Sequence, residues 1–269
     1  TIVEPGPNVF TVEAWFQTSS LQGGKIVGFG NVTKGGSTSY DRHIYINNAG
    51  RVTFGVYPGS VQTVSSANGY NDGAWHHVVG TLGPEGQSLW LDGKLVGRNV
   101  AVTSGQVYDG YWRVGGDTVS GWTNAGSSGY LSGSIADVAV YNRVLTNDEI
   151  DQRRVSSGRD SALPPVPSDH YGALVYGTNP TLYWRMNESS GTNANDAGKN
   201  WYPGTYGGST LTYGEAGALV GVSDTAVQFS GRSSRLVGNR QLQSSDSFAA
   251  EAWIKTRTTT GGKIVGFGS

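Results

Sequence analysis

Hydrophobic and polar residues alternate along much of the first 153 residues, which is the pattern of half-buried β-strands. In the segment FTVEAWF, residues 10–16, every second side chain is apolar, so one set of side chains can face a core. The runs SLWL and KLVG flank Asp92 and Gly93, a dipeptide that tolerates the positive φ angles of a two-residue type I′ hairpin loop. The pattern therefore predicts short strands joined by tight turns.

One short helix is predicted after these strands. Thr146 can cap a helix, Glu149 can reach back to the cap, and Ile150 supplies an apolar contact. Many short strands followed by a single terminal helix indicate an all-β fold, an antiparallel β-sandwich.

The chain contains a duplicated segment. Residues 10–30 and residues 248–268 align without a gap, and 13 of the 21 positions are identical. Two segments this similar indicate successive repeats. The proline-rich stretch at residues 154–170 predicts an extended linker. The sequence therefore divides into residues 1–153, the linker, and residues 171–269.

The amino-acid composition limits which binding partners and which kinds of chemistry are expected. Charged residues make up 14% of the chain, against about 25% in a typical protein, and 42 of the 269 residues are glycine, which suits short strands and turns. The net charge is −1 and the basic residues are scattered, so nucleic acid is not an expected partner. No apolar run approaches the roughly 18 residues of a membrane span, so membrane insertion is not expected. The lack of cysteine excludes disulfides and thiol chemistry.

Several motifs together resemble one family. Residues 75–79 (WHHVV), 89–93 (LWLDG) and 133–150 (GSIADVAVYNRVLTNDEI) are similar to the closing two-thirds of a bacterial laminin-G-like jelly roll, a fold related to the concanavalin A-like lectins and glucanases. Residues 182–198 (LYWRMNESSGTNANDAG) and 226–231 (AVQFSG) resemble the opening of the same domain. The resemblance implies a jelly roll with one short helix.

The order of these motifs departs from the family. There, the opening segment precedes the EAWF strand within one continuous domain, so residues 1–153 and 171–269 resemble two incomplete portions of successive repeats. We expect unpaired sheet edges and an uncovered apolar face in residues 1–153. Residues 171–247 carry the missing strands, and these would complete the sandwich of their own chain or of a neighbouring chain, the latter giving head-to-tail fibres.

Hydrolysis of a glycan requires two carboxylates that flank one bond. The related glucanases place them on one strand as an alternating Glu-x-Asp-x-Glu motif, which does not occur here. Asp148, Glu149 and Asp151 cluster in the predicted helix, where the helix dipole favours acidic residues in the first turn. His76 and His77 are adjacent on a strand and point to opposite faces, so they cannot readily share a metal ion. The sequence predicts a protein that is not an enzyme.

Calcium is the candidate cofactor. The resemblance implies one structural calcium ion where the opening segment meets the last strand, which corresponds to Asp196 and Asp137, with Glu188 as a third ligand. Carboxylate oxygens are the ligands that this ion prefers. The alternative is that Asp196 caps a turn and Asp137 is a solvated strand residue.

A second candidate site is the polar loop at residues 116–129 (GDTVSGWTNAGSSG), which contains a single tryptophan. Trp122 offers a flat apolar face for stacking on a sugar, and Tyr40, Asp41 and Arg42, in the loop before the HIYI strand, would supply polar contacts that orient the ligand. The alternative is that Trp122 folds back onto the edge of the sandwich.

Three functional classes follow. The first is a non-catalytic carbohydrate-binding or adhesion module of an exported, multidomain repeat protein, at the cell surface or outside the cell. Its partner would be a glycan or a cell-surface protein. The second is a purely structural repeat that self-associates into an extracellular stalk or fibre. The third, a glycoside hydrolase, is disfavoured because the carboxylate pair is missing.

Overall fold

The structure, a computed structural model, describes residues 2–242 and 246–268, and the chain divides into two compact units, Thr1–Leu163 and Pro164–Ser269. The strands of the first unit are β1 (Glu4–Pro5), β2 (Phe10–Gln17), β3 (Gly24–Gly30), β4 (Tyr40–Ile46), β5 (Val52–Val56), β6 (Gln62–Ser65), β7 (Trp75–Gly83), β8 (Gly86–Leu91), β9 (Lys94–Asn99), β10 (Asp109–Val114) and β11 (Ser134–Tyr141).

These strands form two antiparallel sheets that face each other. The six-stranded sheet has the order β1-β10-β3-β4-β5-β6, and the five-stranded sheet has the order β11-β2-β7-β8-β9. Alternate residues of each strand point inwards, so the apolar set of residues 10–16 is fully buried in the core between the sheets. The predicted antiparallel β-sandwich of jelly-roll type is confirmed.

Two local predictions are also confirmed. Asp92 and Gly93 have φ angles of 51° and 78° and join β8 to β9, as a type I′ loop requires. Helix α1 (Asn147–Ser156) begins at Thr146, whose side chain accepts a hydrogen bond from the Glu149 N–H, while the Glu149 carboxylate accepts one from the Thr146 N–H. Helix α1 lies on the outer face of the five-stranded sheet, where Ile150 is buried.

The boundary between the units lies inside the predicted linker. Residues 157–163 return to the first unit, because Asp151 of α1 accepts hydrogen bonds from the Ser161 hydroxyl (2.6 Å) and the Ala162 N–H (2.7 Å). The Arg159 guanidinium lies 4.2 Å from the centroid of the Trp15 ring. The composition of this stretch does not indicate these contacts. The proline-rich part, from Pro164, belongs to the second unit.

The second unit contains short elements: α2 (His170–Gly177), β12 (Asn193–Ala194), β13 (Gly204–Gly207), β14 (Leu211–Ala216), β15 (Thr225–Phe229) and β16 (Arg235–Gly238). Its strands form the sheet β12-β13-β16 and the hairpin β14-β15. Helix α2, capped by Asp169, is a second helix that the sequence pattern did not predict. This helix has only eight residues, about two turns, and two of them are glycines, which disfavour helices. Its sequence therefore gives only a weak helical signal. Helices α1 and α2, at 10 and 8 residues, are too short to cross a bilayer.

The two copies of the duplicated segment have different environments. Residues 10–30 form β2 and β3, whereas the described part of residues 248–268 contains no strand. Phe29 is fully buried, but its counterpart Phe267 is 64% exposed. The local sequence is the same, so the partner strands decide whether it becomes a strand.

The faces of the first sandwich are covered, whereas β1, β6, β9 and β11, the edge strands of its two sheets, each pair on one side only among the described residues. Helix α1 lies on the outer face of the five-stranded sheet, and residues 115–130 lie on the outer face of the six-stranded sheet. At the edge of the five-stranded sheet, β11 pairs with β2 and, among the described residues, with no strand on its other side. Ile135, Val138 and Val140 of β11 are half-buried there. The expected unpaired edge is present, and the expected uncovered face is not.

Candidate functional site

Trp122 packs on the outer face of the six-stranded sheet. Its ring centroid lies 4.1 Å from that of His43 and 6.4 Å from those of Tyr40 and Tyr57. The side chain is only 8% exposed. The sequence prediction brought Trp122 and Tyr40 together, and the structure does so too. Trp122 nevertheless lies in the folded-back position that the alternative interpretation describes, and a sugar contact by it stays a prediction.

Two features of the sheet make room for the Trp122 ring and hold its loop. Gly55 of β5 lies directly under the ring, and a Cβ atom there would stand 2.6 Å from Trp122 Cζ3. The Tyr40 hydroxyl donates a hydrogen bond to the Ser120 carbonyl (2.7 Å), and the Tyr45 hydroxyl donates one to the Thr123 carbonyl. The aromatic cluster therefore depends on contacts between residues about 65–80 positions apart in sequence, which a local pattern cannot show.

A group of charged and polar side chains lies beside this cluster. Lys25 of β3 is fully buried, and its Nζ atom lies 3.6 Å from Asp117 Oδ2 and 5.3 Å from the centroid of the Tyr40 ring. Burial lowers the pKa of Lys25 to about 8, although the Asp117 carboxylate opposes this shift. Burial likewise holds the pKa of His43 well below its ordinary value. In the described chain, Lys25 Nζ and both ring nitrogens of His43 have no hydrogen-bond partner.

Asp117 is bound by groups of the protein itself. It accepts hydrogen bonds from the Ser37 N–H (3.0 Å), the Ser37 hydroxyl (2.7 Å) and the Thr118 N–H (2.7 Å), and Arg113 Nη1 lies 3.3 Å away. Burial raises the pKa of Asp117, but these hydrogen bonds and the charge of Lys25 outweigh it and leave the pKa below its ordinary value. The sequence pattern did not identify Lys25, His43 or Asp117 as site residues. A lysine within the apolar run GKIVGFG was the available signal.

Asp41 and Arg42 are fully buried and bind the protein's own backbone. The Arg42 guanidinium donates hydrogen bonds to the carbonyls of Pro7 (2.7 Å) and Gln106 (2.9 Å) and to Asp41 Oδ1 (2.6 Å). Asp41 Oδ2 accepts hydrogen bonds from the N–H groups of Gln106 (2.8 Å) and Tyr57 (3.1 Å). The two side chains tie the start of the unit and the β9–β10 connection to β4. That they contact a ligand stays a prediction.

The predicted calcium ligands lie in different units. Asp137 is an exposed residue of β11 at a bulge, with a φ angle of 49°, and belongs to the first unit. Asp196, in the second unit, accepts hydrogen bonds from the N–H groups of Tyr183 (2.9 Å), Gly198 (2.9 Å) and Tyr202 (2.8 Å), as the turn-cap alternative describes.

Glu188, the third predicted ligand, accepts hydrogen bonds from the Asn195 N–H and the Tyr206 hydroxyl, both at 2.8 Å. Over residues 2–242 and 246–268, no group of three His, Asp or Glu side chains is arranged to hold a metal ion. Calcium binding stays a prediction.

A second polar cluster lies between β2, β7 and α1. Glu13 accepts hydrogen bonds from the Tyr141 hydroxyl (2.7 Å) and Arg153 Nε (3.2 Å), and His77 Nε2 lies 3.2 Å from its other oxygen. Burial raises the pKa of Glu13, but the hydrogen bonds with His77 and Tyr141 outweigh it and lower the pKa overall. The cluster lines an open depression of about 410 Å³, to which Asp137 also contributes.

His76 and His77 point to opposite faces of β7, as predicted. His77 contacts Glu13, whereas His76 lies between Asp72 and Asp92 at 3.0 and 2.8 Å. Each histidine thus has a carboxylate partner of its own, and the pair does not form a joint site.

The sequence of the first unit matches a known family. Residues 3–151 match a family model described as the concanavalin A-like lectin/glucanases superfamily. Among curated proteins, none matches the chain. Similar solved structures include a heptameric SAP-like pentraxin from Limulus polyphemus, at 18% identity over 55% of this chain and 70% of that one, with a TM-score of 0.41.

Two further structures have comparable similarity. The CBM40 of the Ruminococcus gnavus IT-sialidase is 21% identical over 54% of this chain and 82% of that one, with a TM-score of 0.39. Domains LG4-5 of the mouse laminin alpha1 chain are 18% identical over 55% of this chain and 40% of that one, with a TM-score of 0.40. Since the family match spans more than half of the sequence and agrees with the observed sandwich, this chain belongs to the laminin-G-like branch of the concanavalin A-like lectin/glucanase superfamily.

Proposed function

We propose that the first unit is a non-catalytic carbohydrate-binding module, and that the outer face of its six-stranded sheet binds the glycan. The observation that carries this proposal is the cluster of Tyr40, Tyr57 and Trp122, in which the centroid of each tyrosine ring lies 6.4 Å from that of Trp122. Tyr40 and Tyr57 are half-buried, so part of each ring faces solvent. Aromatic faces bind the apolar C–H faces of a pyranose, and binding sites combine such faces with a few polar groups.

The surroundings of the cluster supply those polar groups. The loop carries hydroxyl and amide side chains, and Asn124 Nδ2 already donates a hydrogen bond to the Ser65 hydroxyl at 3.2 Å. Asp41 and Asp117, the carboxylates nearest the cluster, are both engaged by donors of the protein itself. Hydrolysis needs one free general acid and a second carboxylate across the bond. This arrangement supports binding rather than cleavage.

We further propose that the module belongs to an exported, multidomain protein that acts in adhesion at the cell surface. The duplicated segment at residues 10–30 and 248–268 supports a repeat array. A glycan displayed on another surface would then be bound by several weak modules at once, which raises the overall affinity through multivalency.

A glycan array followed by calorimetry tests the binding proposal. We expect the chain to retain at least one class of oligosaccharide, and Tyr57→Ala to lower its affinity about five- to tenfold, since an aromatic contact contributes about 1 kcal/mol. The matched control is Tyr213→Ala in the second unit, which should bind like the wild type. Loss of binding in both variants, or in neither, would contradict the assignment of this face.

A structural repeat that self-associates is the second candidate, and one observation favours it. Four apolar residues of the second copy are 58–83% exposed: Phe248, Trp253, Ile254 and Ile264. Their counterparts in the first copy lie in β2 and β3. Such an apolar, strand-forming segment can pair with another chain.

Sedimentation velocity over a range of concentrations tests this candidate. We expect the full chain, of 28.3 kDa, to form a ladder of oligomers, and a chain that ends at residue 247 to remain monomeric. A full chain that stays monomeric at every concentration would rule out self-association through this segment.

A further inference from the structure

Two buried polar side chains beneath the loop of residues 115–130 make no hydrogen bonds among the described residues, and the only charged partner of Lys25 within 4 Å there is Asp117, at 3.6 Å. Lys25 and His43 are both fully buried, and three of their atoms, Lys25 Nζ and the two His43 ring nitrogens, have no hydrogen-bond partner in the described chain. Leaving a buried polar group unpaired costs about 1–3 kcal/mol, and more for a charged group. Structural stability alone does not explain such a cluster under one loop.

The neighbouring acidic group does not complete the site. Asp117 Oδ2 is 3.6 Å from Lys25 Nζ, beyond hydrogen-bond distance, and the Asp117 carboxylate already has Ser37, Thr118 and Arg113 as partners. Lys25 and Arg113 are cationic and Asp117 is anionic, while the nearby Asp41 is neutralised by Arg42, so this corner of the face retains one net positive charge. The missing ligand group is therefore an anion for Lys25, with a hydroxyl group beside it for His43.

Trp122 stands between these groups and solvent. Its ring covers His43 and lies directly on Gly55, so a ligand can reach His43 only after the ring has moved. Both ends of the loop are anchored to the sandwich, residues 115–117 by bonds to Ile26 and Ser37 and residues 126–129 by bonds to Gln22, Lys25 and Asn48. Residues 118–125 between them are held by single hydrogen bonds that involve Tyr40, Tyr45 and Asn124, each with a net contribution of about 0.5–1.5 kcal/mol. A ligand that pairs with Lys25 can offset their loss, and a displaced Trp122 can then stack on it.

We propose that residues 118–125 are a lid over an anion-binding subsite, in which Lys25 binds the carboxylate or sulfate of an acidic sugar and His43 hydrogen-bonds an adjacent hydroxyl. The inference rests on the proposed carbohydrate-binding function and adds the class of ligand to it. The two sources of the anion, a uronic acid and a sulfate ester, share this chemistry and are distinguished by the probes below.

The test compares the wild type with two variants. Titration calorimetry uses an oligogalacturonate, a sulfated galactan oligosaccharide and a neutral galactan oligosaccharide of equal length. We expect one acidic probe to bind about tenfold or more tightly than the neutral one, as a charge-assisted hydrogen bond implies. Lys25→Met should abolish this preference. It also removes one partner of the buried Lys25–Asp117 ion pair, but Asp117 keeps Ser37, Thr118 and Arg113 as partners, so the variant should remain folded, which its melting curve checks.

Lys263→Met is the matched control for charge. Lys263 is the counterpart of Lys25 in the exposed copy, so the variant has the same net charge and should keep the preference. Gly55→Ala tests the lid, because a methyl group would displace the Trp122 ring. If closure limits binding, this variant should bind the acidic probe several-fold more tightly than the wild type.

The outcomes separate this inference from the proposed function. Acidic and neutral probes that bind equally, with affinity still lost in Tyr57→Ala, would overturn the anion subsite and leave the carbohydrate-binding face in place. Binding of none of these probes, or of any glycan on the array, would overturn both proposals. An acidic preference that persists in Lys25→Met would overturn the role of Lys25, and unchanged or weaker binding by Gly55→Ala would overturn the lid.

Discussion

Replacing Asp41 by alanine is expected to lower the free energy of unfolding by about 3–5 kcal/mol, since it leaves a buried charge without its partner. Asp41 Oδ1 accepts hydrogen bonds from Arg42 Nη1 and the Tyr108 hydroxyl, and Oδ2 accepts two from backbone N–H groups. Both members of the Asp41–Arg42 pair are fully buried. The variant would also leave the two N–H groups unpaired in the interior, which adds to the loss.

Urea denaturation followed by tryptophan fluorescence measures this effect, with Asp109→Ala as the control. Asp109 is an exposed residue of β10, and its replacement should change the unfolding free energy by less than about 0.5 kcal/mol. A loss of less than 1 kcal/mol in Asp41→Ala would show that the network contributes little to the fold. The interpretation of Asp41 as a residue that orients a ligand would then become the stronger one.

The parts of the fold that the sequence predicted are those whose signals are local. The alternation in residues 10–16 identifies β2, the Asp92-Gly93 pair identifies a hairpin, and Thr146 with Glu149 identifies the start of α1. Each depends on residues within seven positions of one another. The return of residues 157–163 to the sandwich depends instead on hydrogen bonds from Ser161 and Ala162 to the Asp151 carboxylate of α1, and no periodic pattern in the sequence indicates these contacts.

The candidate site shows the same division. The sequence identified Trp122 as a candidate because it lies in a polar loop with no obvious core to pack against. In the structure it packs against His43 and Gly55, on strands more than 65 residues away in sequence. Asp41 and Arg42 follow Tyr40 directly, yet only Tyr40 faces the aromatic cluster. The Arg42 backbone has a φ angle of 48°, which interrupts the regular alternation of β4. A period-two pattern could not predict that reversal.

Replacing Phe10 by alanine is expected to lower the free energy of unfolding of the first unit by about 3–5 kcal/mol, as is typical when a buried phenylalanine is truncated. Phe10 is fully buried, and its ring lies 6.1 Å from that of Phe54 and 5.6 Å from that of Trp112. The duplicated segment supplies an internal control, because Phe248 occupies the same place in the second copy and is 83% exposed.

Phe248→Ala should therefore change the unfolding free energy by no more than about 0.5 kcal/mol in a dilute, monomeric sample. The measurement is urea denaturation of both variants at low and high protein concentration, with the two units fitted as separate transitions, because a two-unit chain need not unfold in one step. A small, concentration-independent effect in Phe248→Ala would confirm that the second copy is exposed in solution. An effect that approaches that of Phe10→Ala and grows with concentration would instead show that another chain buries Phe248. Since the two segments share 13 of 21 residues, the comparison isolates what partner strands add to the same sequence.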